Sequence, residues 1–250
     1  MVLDLFNLTG KVAIVTGSST GLGQGMSKAL VEAGAKVLGV DYVESTQTKQ
    51  QLGDNFEYMV ANLLTIEPVE QIVQTAKQKF GRVDILVNNA GIIKRNDAID
   101  FTEQEWDDVI NINLKTVFFL SQRVAQEFVI TNTKGKIINI ASMLIFQGGI
   151  RVPSYTASKS GVKGITMSMA NEWAKYGICI NAIAPGYMAT NNTANLRKDE
   201  QRSSEILARI PAGRWGTPDD MMGAVVFLAS RASDYVNGYT MAVDGGWLAR

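Results

Sequence analysis

Residues 11–41 read KVAIVTGSSTGLGQGMSKALVEAGAKVLGVD, and this stretch decides the fold. The apolar, β-branched run at 11–16 predicts a buried strand, and a second apolar run at 36–41 predicts the next one. Between them, residues 22–33 have the spacing of an amphipathic helix, with Gly34 as its stop signal. A strand, a glycine-rich turn, a helix and a second strand in this order indicate a parallel β-α-β unit.

The same alternation of short apolar runs and longer amphipathic runs continues along the sequence. Two helices carry start signals, a capping box from Thr102 to Glu105 and a Thr217-Pro218 pair followed by acids. Near-continuous apolar strands that alternate with helices favour a parallel sheet covered on both faces. The remaining predicted strands lie near residues 57–60, 84–87, 136–140, 178–183 and 239–243.

The domain organisation follows from what separates these segments. The sequence has no Pro/Ser-rich linker, no internal repeat and no low-complexity segment, which favours a single domain over residues 1–250. With a hydrophobic fraction of 46%, a chain of this length can bury one large core. The least patterned region, about 187–212, is rich in Asn and Arg, and it is predicted to be a mobile lid.

The charge balance bears on partners and location. Lys+Arg and Asp+Glu both number 24, so the protein has no net positive charge to attract nucleic acid or an anionic membrane. Neither is expected as a partner. Residues 1–7 carry no basic region, and the apolar run after Lys11 is too short to be secretory. No stretch approaches the roughly 18 consecutive apolar residues of a membrane span, so a cytoplasmic location is expected.

Two features of the composition limit the chemistry. The sequence contains no histidine, which removes the commonest general base and the commonest metal ligand. Its one cysteine, Cys179, allows neither an intrachain disulfide nor a thiolate cluster, and no metal site is predicted. Because Cys179 lies in an apolar run, it is expected to be a small core residue. Acid–base work therefore falls to Asp, Glu, Lys or Tyr.

The first strand leads into a glycine-rich turn, Thr16-Gly17-Ser18-Ser19-Thr20-Gly21-Leu22-Gly23. Such glycines let the backbone turn sharply and approach a diphosphate, while the helix that follows offers free amides and a partial positive charge. The spacing is neither G-x-G-x-x-G, since a third glycine would fall on Met26, nor a P-loop, since Gln24 follows. The glycines alone are equally compatible with a tight turn that binds nothing.

Asp41 favours a nucleotide. It ends the second strand 18 residues after Gly23, close to the roughly 20 at which an acid meets an adenosine ribose. A carboxylate there accepts hydrogen bonds from both ribose hydroxyls and repels a 2′-phosphate, which favours NAD over NADP. The alternative is a strand-ending Asp that only caps a turn.

Tyr155 and Lys159 are four residues apart on a predicted helix, so their side chains share one face. A phenol titrates near ~10 and is a poor base at neutral pH unless its anion is stabilised, which an ammonium one turn away can do. Ser142, which follows the strand at 136–140, is placed to hydrogen-bond a carbonyl oxygen from the other side. A Y-x-x-x-K pair alone is usually a solvated helix face, and the combination with the serine and the glycine turn is what indicates catalysis.

Taken together, these motifs resemble the short-chain dehydrogenase/reductase family over essentially the whole chain. The glycine turn matches its TGxxxGxG, residues 88–91 match its NNAG, and residues 185–190 match its PG motif. The resemblance implies a Rossmann-type, doubly wound, seven-stranded parallel sheet with helices on both faces, in a single α/β domain. Its nucleotide-binding half would span about 1–135 and its catalytic and substrate half about 136–250.

The resemblance also implies a role for each matching residue. Tyr155 would exchange the proton with the substrate oxygen, Lys159 would lower the pKa of Tyr155 and hold the nicotinamide ribose, and Ser142 would orient the carbonyl. Asn113 would anchor a proton-relay water, and Thr190 would fix the carboxamide. The implied cofactor-binding residues are Gly17, Ser19, Thr20, Gly21, Leu22, Gly23, Asp41, Asn62, Leu63, Asn89, Ala90, Gly91, Tyr155, Lys159, Pro185, Gly186, Met188 and Thr190.

One position departs from the family pattern. The chain has Asn62-Leu63 where the family usually has an Asp followed by Val or Leu against the adenine. The amide oxygen of Asn62 can still accept a hydrogen bond, so the expected adenine contact is weaker but not lost.

Segments 141–162, 171–193 and 233–250 are similar to members of the family that act on deoxy keto-sugar acids in pectin and uronate breakdown. Such a substrate carries a carboxylate, so a positively charged side chain is expected in the substrate site. Arg151 is the first choice because it lies four residues before Tyr155, and Ser142, Arg151 and Tyr155 are the predicted substrate contacts. The other candidate cations are Arg95, Arg202 and Arg214, while Tyr187 and Trp215 are candidates either for contact with the sugar or for packing.

Two other readings compete with this one. Another short-chain reductase, such as a gluconate dehydrogenase or a 3-oxoacyl-thioester reductase, would use the same machinery, although the latter favours a net-basic patch for an acidic carrier protein. A non-catalytic nucleotide sensor on the same fold would be expected to have lost part of the catalytic set, all of which is present here. The resemblance further implies a homotetramer.

Overall fold

The computed structural model describes residues 1–250, and the β-α-β unit predicted at 11–41 is present in it. Strand β1 spans Val12–Thr16, helix α1 spans Gly21–Glu32 and strand β2 spans Lys36–Asp41. Both strands are buried except at Lys36, as expected for the interior of a parallel sheet.

Five more strands and nine more α-helices follow in alternation. The strands are β3 (Phe56–Val60), β4 (Ile85–Asn88), β5 (Lys136–Ile140), β6 (Cys179–Pro185) and β7 (Thr240–Val243). The helices are α2 (Thr46–Leu52), α3 (Val69–Phe80), α4 (Glu103–Ile110), α5 (Thr116–Ile130), α6 (Leu144–Gln147), α7 (Pro153–Trp173), α8 (Ala194–Lys198), α9 (Glu200–Arg209) and α10 (Met222–Ala229).

All seven strands pair in parallel in one sheet of order β3-β2-β1-β4-β5-β6-β7. The predicted fold class, a doubly wound parallel sheet in a single domain, is therefore confirmed. The chain winds outward from β1 to β3 and then returns to place β4 on the other side of β1. Ligands of such sheets bind outside the carboxyl ends of the strands at this reversal, between β1 and β4.

Alternate residues of each strand point to opposite faces, and each face has its own core. Ile14 and Leu38 pack with α3, α5 and α7, where Phe128 is among the largest fully buried side chains. Ala13 and Val15 point the other way and pack with α1 and α10. Helices on both faces thus fix the sheet, and the carboxyl ends of its strands are held at one edge.

The two predicted helix starts form as expected. Thr102 Oγ1 accepts from the amide of Glu105 at 3.2 Å, and Glu105 accepts from the amide of Thr102 at 3.0 Å, which completes the capping box before α4. Asp220 accepts from the amide of Thr217 at 2.7 Å, at a 3₁₀ turn (Pro218–Met221) that leads into α10.

One expectation about a particular residue differs from the structure, and one weakly patterned region proves to be helical. Cys179 is only half-buried, because it starts β6, and its thiol approaches the exposed carbonyl of Asp234; the buried positions are its neighbours Ile178 and Ile180. The region at 187–212 carries two helices, α8 and α9, although its polar sequence shows little pattern. No helix of the chain is both long and apolar enough to cross a bilayer.

Candidate active site

The glycine turn packs against the end of β4 at the reversal point of the sheet. Gly17 has a left-handed φ of +68°, and a Cβ there would lie 2.8 Å from Asn89 Nδ2. A Cβ at Gly23 would collide with the carbonyl oxygen of Gly17 and lie 2.6 Å from the same amide nitrogen. Asn89 Nδ2 donates to the carbonyls of Thr16 (2.9 Å) and Gly17 (3.1 Å). Residues 88–91 therefore brace the turn.

The turn leaves room and donors for an anion. Helix α1 has neither a side-chain cap from Thr20 nor an acid in its first turn, so its first amides stay available. At Gly21, with φ of +59°, the only atoms within 4 Å of a Cβ position belong to Thr190, the nearest at 3.6 Å. A cradle of this kind fits the diphosphate of a dinucleotide, and it brings the predicted carboxamide contact, Thr190, beside it.

Asp41 lies at the edge of this cradle and is only 8% exposed. Its Oδ2 accepts from the amide (2.9 Å) and the hydroxyl (2.7 Å) of Ser19, and its Oδ1 accepts from the amide of Tyr42 at 2.8 Å. The carboxylate is thus held against the glycine turn, with no arginine or lysine in contact with it. This is the position in which an acid meets an adenosine ribose.

Asn62 and Leu63 follow β3, as predicted. Asn62 is exposed, and its Oδ1 already accepts from the amide of Leu64 at 3.0 Å, so only one lone pair is left for an adenine. Leu63 is buried, and its carbonyl accepts from Thr116 Oγ1 at 2.9 Å. An amide oxygen with one free lone pair would bind an adenine more weakly than an aspartate would.

Asn113 lies in a π-helical turn, Asn111–Lys115, between α4 and α5, and is fully buried. Such turns recur at functional sites because the wider turn redirects a side chain. Asn113 Nδ2 donates to the carbonyl of Ile92 (2.9 Å) and to Ser158 Oγ (3.2 Å), while its Oδ1 accepts from the amide of Ile92 (2.9 Å). It ties α7, the helix of Tyr155 and Lys159, to the chain that follows Gly91.

Lys159 and Tyr155 lie on one face of α7, with the ammonium 5.7 Å from the centroid of the Tyr155 ring. Lys159 is 4% exposed, and its Nζ donates to the carbonyl of Ile140 at 2.6 Å. Because burial disfavours the charged form, the pKa of Lys159 falls to about 8.

The pKa of Tyr155 differs from the expectation. Burial raises it above its usual value, although a hydrogen bond from Ser142 and the positive charge of Arg95 both lower it. The ammonium of Lys159 donates to the carbonyl of Ile140 and makes no hydrogen bond to the phenol. Among the protein's own groups, desolvation outweighs the stabilisation of the phenolate.

The PG segment follows β6 on the other side of the sheet reversal. Gly186 is pressed against Asp244, whose Cα would lie 2.6 Å from a Cβ at that position, and Met188 is 5% exposed. The tight approach at Gly186 carries the chain past β7 and back to Thr190 beside the glycine turn. Pro185 forms the end of β6 and pairs with Val243.

The four candidate arginines differ in their partners. Arg151 has a left-handed φ of +62°, and its Nε lies 3.0 Å from Asp97 Oδ1 in an exposed ion pair. Arg202 pairs with Glu205 at 3.2 Å and Arg214 with Asp220 at 2.6 Å. Arg95 contacts no carboxylate; it donates to the carbonyl of Asn192 at 3.1 Å, and its charge reaches Tyr155.

Aromatic residues beside the PG segment form a packed group. The Tyr187 ring meets Trp215 edge-on with centroids 5.5 Å apart, and meets Trp247 in the same way at 4.8 Å. Tyr187 and Trp215 thus pack against each other while both stay half-buried. Trp247 was not predicted as part of this region, since nothing in its local sequence places it near Ser142.

Comparison with known proteins gives the same family as the motifs. The short chain dehydrogenase family profile matches residues 11–201. The chain is 63% identical to 2-dehydro-3-deoxy-D-gluconate 5-dehydrogenase of Escherichia coli, and 54% identical to the enzyme of that name from Bacillus subtilis. The first alignment covers 100% of both chains, and the second covers 99% of this chain and 98% of the relative.

A solved structure is similar over the same length. It comes from Agrobacterium tumefaciens, is described as a 2-deoxy-D-gluconate 3-dehydrogenase with bound NADP, and has 47% sequence identity with a TM-score of 0.93. The alignment covers 99% of this chain and 100% of that one. The chain belongs to the short-chain dehydrogenase family, whose members are NAD(P)-dependent dehydrogenases acting on alcohol groups.

Proposed function

We propose that this chain interconverts a secondary alcohol and a ketone on a deoxy keto-sugar acid, as a 2-dehydro-3-deoxy-D-gluconate 5-dehydrogenase does. The observation that carries the proposal is the meeting of Ser142, Tyr155, Lys159 and Asn113 beside the glycine cradle, at the reversal point of the sheet. Curated relatives that match the chain end to end carry this name at 46–63% identity, which supports the substrate class.

The proton chemistry follows from the residues. A nicotinamide dinucleotide, when bound, supplies or accepts the hydride. Tyr155 gives its proton to the carbonyl oxygen in reduction and removes it from the hydroxyl in oxidation, while Ser142 hydrogen-bonds the same oxygen and the phenol. Lys159 carries a positive charge below pH about 8, which favours the phenolate. Asn113 holds α7 in place through Ser158, and one lone pair of its Oδ1 is left to accept from a proton-relay water.

The cofactor we propose is NAD. The carboxylate of Asp41 is fixed by Ser19 at the ribose position, and a 2′-phosphate there would meet a negative charge with no cation beside it. The Agrobacterium structure contains NADP, whereas the cofactor proposed for this chain is NAD. In the proposed complex, Asn89, Ala90 and Gly91 lie along the nucleotide, and Lys159 holds the nicotinamide ribose.

A substrate panel tests both proposals at once. Keto-deoxy-hexonates, gluconate and acetoacetyl thioesters are assayed with NADH or NAD and with NADPH or NADP, following the absorbance of the reduced nucleotide. We expect turnover of a keto-deoxy-hexonate with a higher kcat/KM for NADH. Activity on the thioester but on no sugar acid would refute the substrate class, and a kcat/KM for NADPH well above that for NADH would refute the cofactor preference.

The substrate carboxylate needs a cation, and the structure gives a second candidate beside Arg151. Arg151 must exchange its ion pair with Asp97 to bind an anion, whereas Arg95 has no carboxylate to leave and its charge already reaches Tyr155. We expect Arg95→Ala to raise the KM for the sugar acid about tenfold, near the roughly 1.4 kcal/mol of one charge-assisted hydrogen bond. We expect Arg151→Ala to raise it less. Steady-state kinetics at saturating nucleotide measure both, and an unchanged KM removes the residue concerned from the substrate site.

Three further proposals concern the assembly of the protein, its location and the role of residues 187–212. We propose a homotetramer, as the family resemblance implies, and light scattering after gel filtration tests it. A dehydrogenase of sugar-acid breakdown draws on the nicotinamide pool, which supports a cytoplasmic location. The segment at 187–212 is proposed to act as a lid over the substrate, since Arg95 already joins its start, at Asn192, to the chain after Gly91.

A further inference from the structure

Trp247 joins three parts of the substrate side and is only 4% exposed. Its indole Nε1 donates to Gln147 Oε1 at 2.9 Å, in α6 just after Ser142. Its ring meets Tyr187 of the PG segment at 4.8 Å between centroids, and the guanidinium of Arg209, at the end of α9, lies 4.1 Å over it. One side chain therefore contacts the loop after β5, the loop after β6 and the helix of the proposed lid.

The backbone around Trp247 is fitted to the end of α9. Gly245 and Gly246 have left-handed φ values of +64° and +89°, and a Cβ at either would lie 3.1 Å from side chains of residues 210–212. The carbonyl of Gly245 accepts from the amide of Ala212 at 3.0 Å. Asp244 closes the turn by accepting from the amides of Gly246 and Leu248, both at 2.9 Å.

Arg250 continues the contact along the same helix. Its Nη2 donates to the carbonyl of Ala208 at 2.7 Å and its Nε donates to that of Arg209 at 3.2 Å. These carbonyls belong to the last turn of α9, whose acceptors have no partner within the helix. A cation is also stabilised there by the partial negative charge of the helix end.

The apolar side of α9 rests on the same group. Ile206 is its only buried residue, and Ile206 and Ile210 pack with Trp247 and with Met143, the residue after Ser142. Apart from Leu207 and Ala208, the rest of α9 is polar and charged, so little else fixes its position. The contacts to residues 244–250 therefore decide where this helix stands relative to Ser142.

We propose that Trp247 and Arg250 are positioning residues for the reaction, which hold α9 against the loop of Ser142 and so set the affinity for the substrate. This inference rests on the proposed function in assigning residues 187–212 to the substrate side. Neither residue touches the reacting atoms: Trp247 acts through Gln147 and Tyr187, and Arg250 acts through the end of α9.

The kinetic test compares Arg250→Ala, Arg250→Lys and Trp247→Phe with Arg231→Ala, a control that removes an exposed arginine bound only to the carbonyl of Asp4. We expect Arg250→Ala to raise the KM for the keto-sugar acid about three- to tenfold, with kcat and the Kd of NADH nearly unchanged. Arg250→Lys restores most of the affinity, since an ammonium also caps carbonyls. Trp247→Phe, which keeps a ring but loses the bond to Gln147, shifts KM in the same direction.

Limited trypsin digestion provides a readout that needs no substrate. Arg197, Lys198 and Arg202 lie in α8 and α9, and we expect cleavage there to be faster in Arg250→Ala than in wild type or Arg231→Ala. A lower Tm with unchanged KM and unchanged cleavage overturns the proposal, because the two residues would then be merely structural. Faster cleavage in a protein that turns over no sugar acid supports the positioning role and refutes only the proposed substrate.

Discussion

Tyr155→Phe is expected to lower kcat by about 10²–10⁴-fold in both directions, the range typical of a lost general acid–base. Phenylalanine keeps the ring that lies beside the ammonium of Lys159 and removes only the hydroxyl. We therefore expect the Tm and the Kd of NADH to change little. Stopped-flow or steady-state assays measure kcat, and circular dichroism and calorimetry check the fold and the nucleotide affinity.

The pH profile gives this prediction a second readout. Oxidation needs the phenolate, so its rate rises with pH as Tyr155 ionises. Burial raises the pKa of Tyr155, and the positive charges of Arg95 and a bound oxidised nicotinamide lower it. Lys159 adds its positive charge below pH about 8 and loses it above, so its help to the phenolate is confined to the neutral range. We expect an apparent pKa below that of a free phenol in the ternary complex.

The control for this experiment is the part of the pH profile in which the oxidation rate increases as Tyr155 ionises. In Tyr155→Phe the residual oxidation should no longer follow that ionisation, because no phenol is left to titrate at the site. A variant that keeps more than about a tenth of the wild-type kcat, or that keeps the same increase with pH, removes Tyr155 from the mechanism.

The sequence was sufficient for the fold because each local signal agrees with the global architecture. The apolar strands are buried on both sides, the capping box at Thr102 forms, and the glycine turn leads directly from β1 into α1. The family and the enzyme class are likewise confirmed by the family profile. They could be predicted because the motifs at 16–23, 88–91 and 142–159 are short, local and specific.

What the sequence could not supply depends on contacts distant along the chain. Arg151 was chosen for its position four residues before Tyr155, and only the fold brings Asp97 to it. The raised pKa of Tyr155 comes from desolvation, which no spacing encodes. Trp247 reaches Gln147 across a separation of 100 residues, and α9 has a sequence too polar to predict a packed helix.

Gly23→Ala is expected to weaken nucleotide binding strongly, with a rise in Kd of up to about 100-fold. The reason is steric: a methyl group at this position collides with the carbonyl oxygen of Gly17 and approaches Asn89 Nδ2 at 2.6 Å. Overpacking of this kind costs about 1–3 kcal/mol, and each 1.4 kcal/mol is roughly tenfold in affinity. Relief of the clash moves either the turn or the first turn of α1, and these are the groups that would hold the diphosphate. Isothermal calorimetry with NADH measures the change.

Two further glycine-to-alanine variants distinguish a specific loss of nucleotide binding from a general effect on the protein. Gly21→Ala meets only Thr190 at 3.6 Å, so its cost is the left-handed φ of +59°, about 1–2 kcal/mol, and its loss of affinity should be intermediate. Gly164→Ala lies on the exposed side of α7 with no atom within 4 Å, and should stabilise the protein by about 0.5–1 kcal/mol with unchanged binding. If Gly23→Ala stays folded and binds NADH as wild type does, the diphosphate is not held by this turn. The expected loss of NADH affinity increases from Gly164→Ala through Gly21→Ala to Gly23→Ala. This order follows from the space around each Cβ position, so the experiment tests the geometry of the cradle.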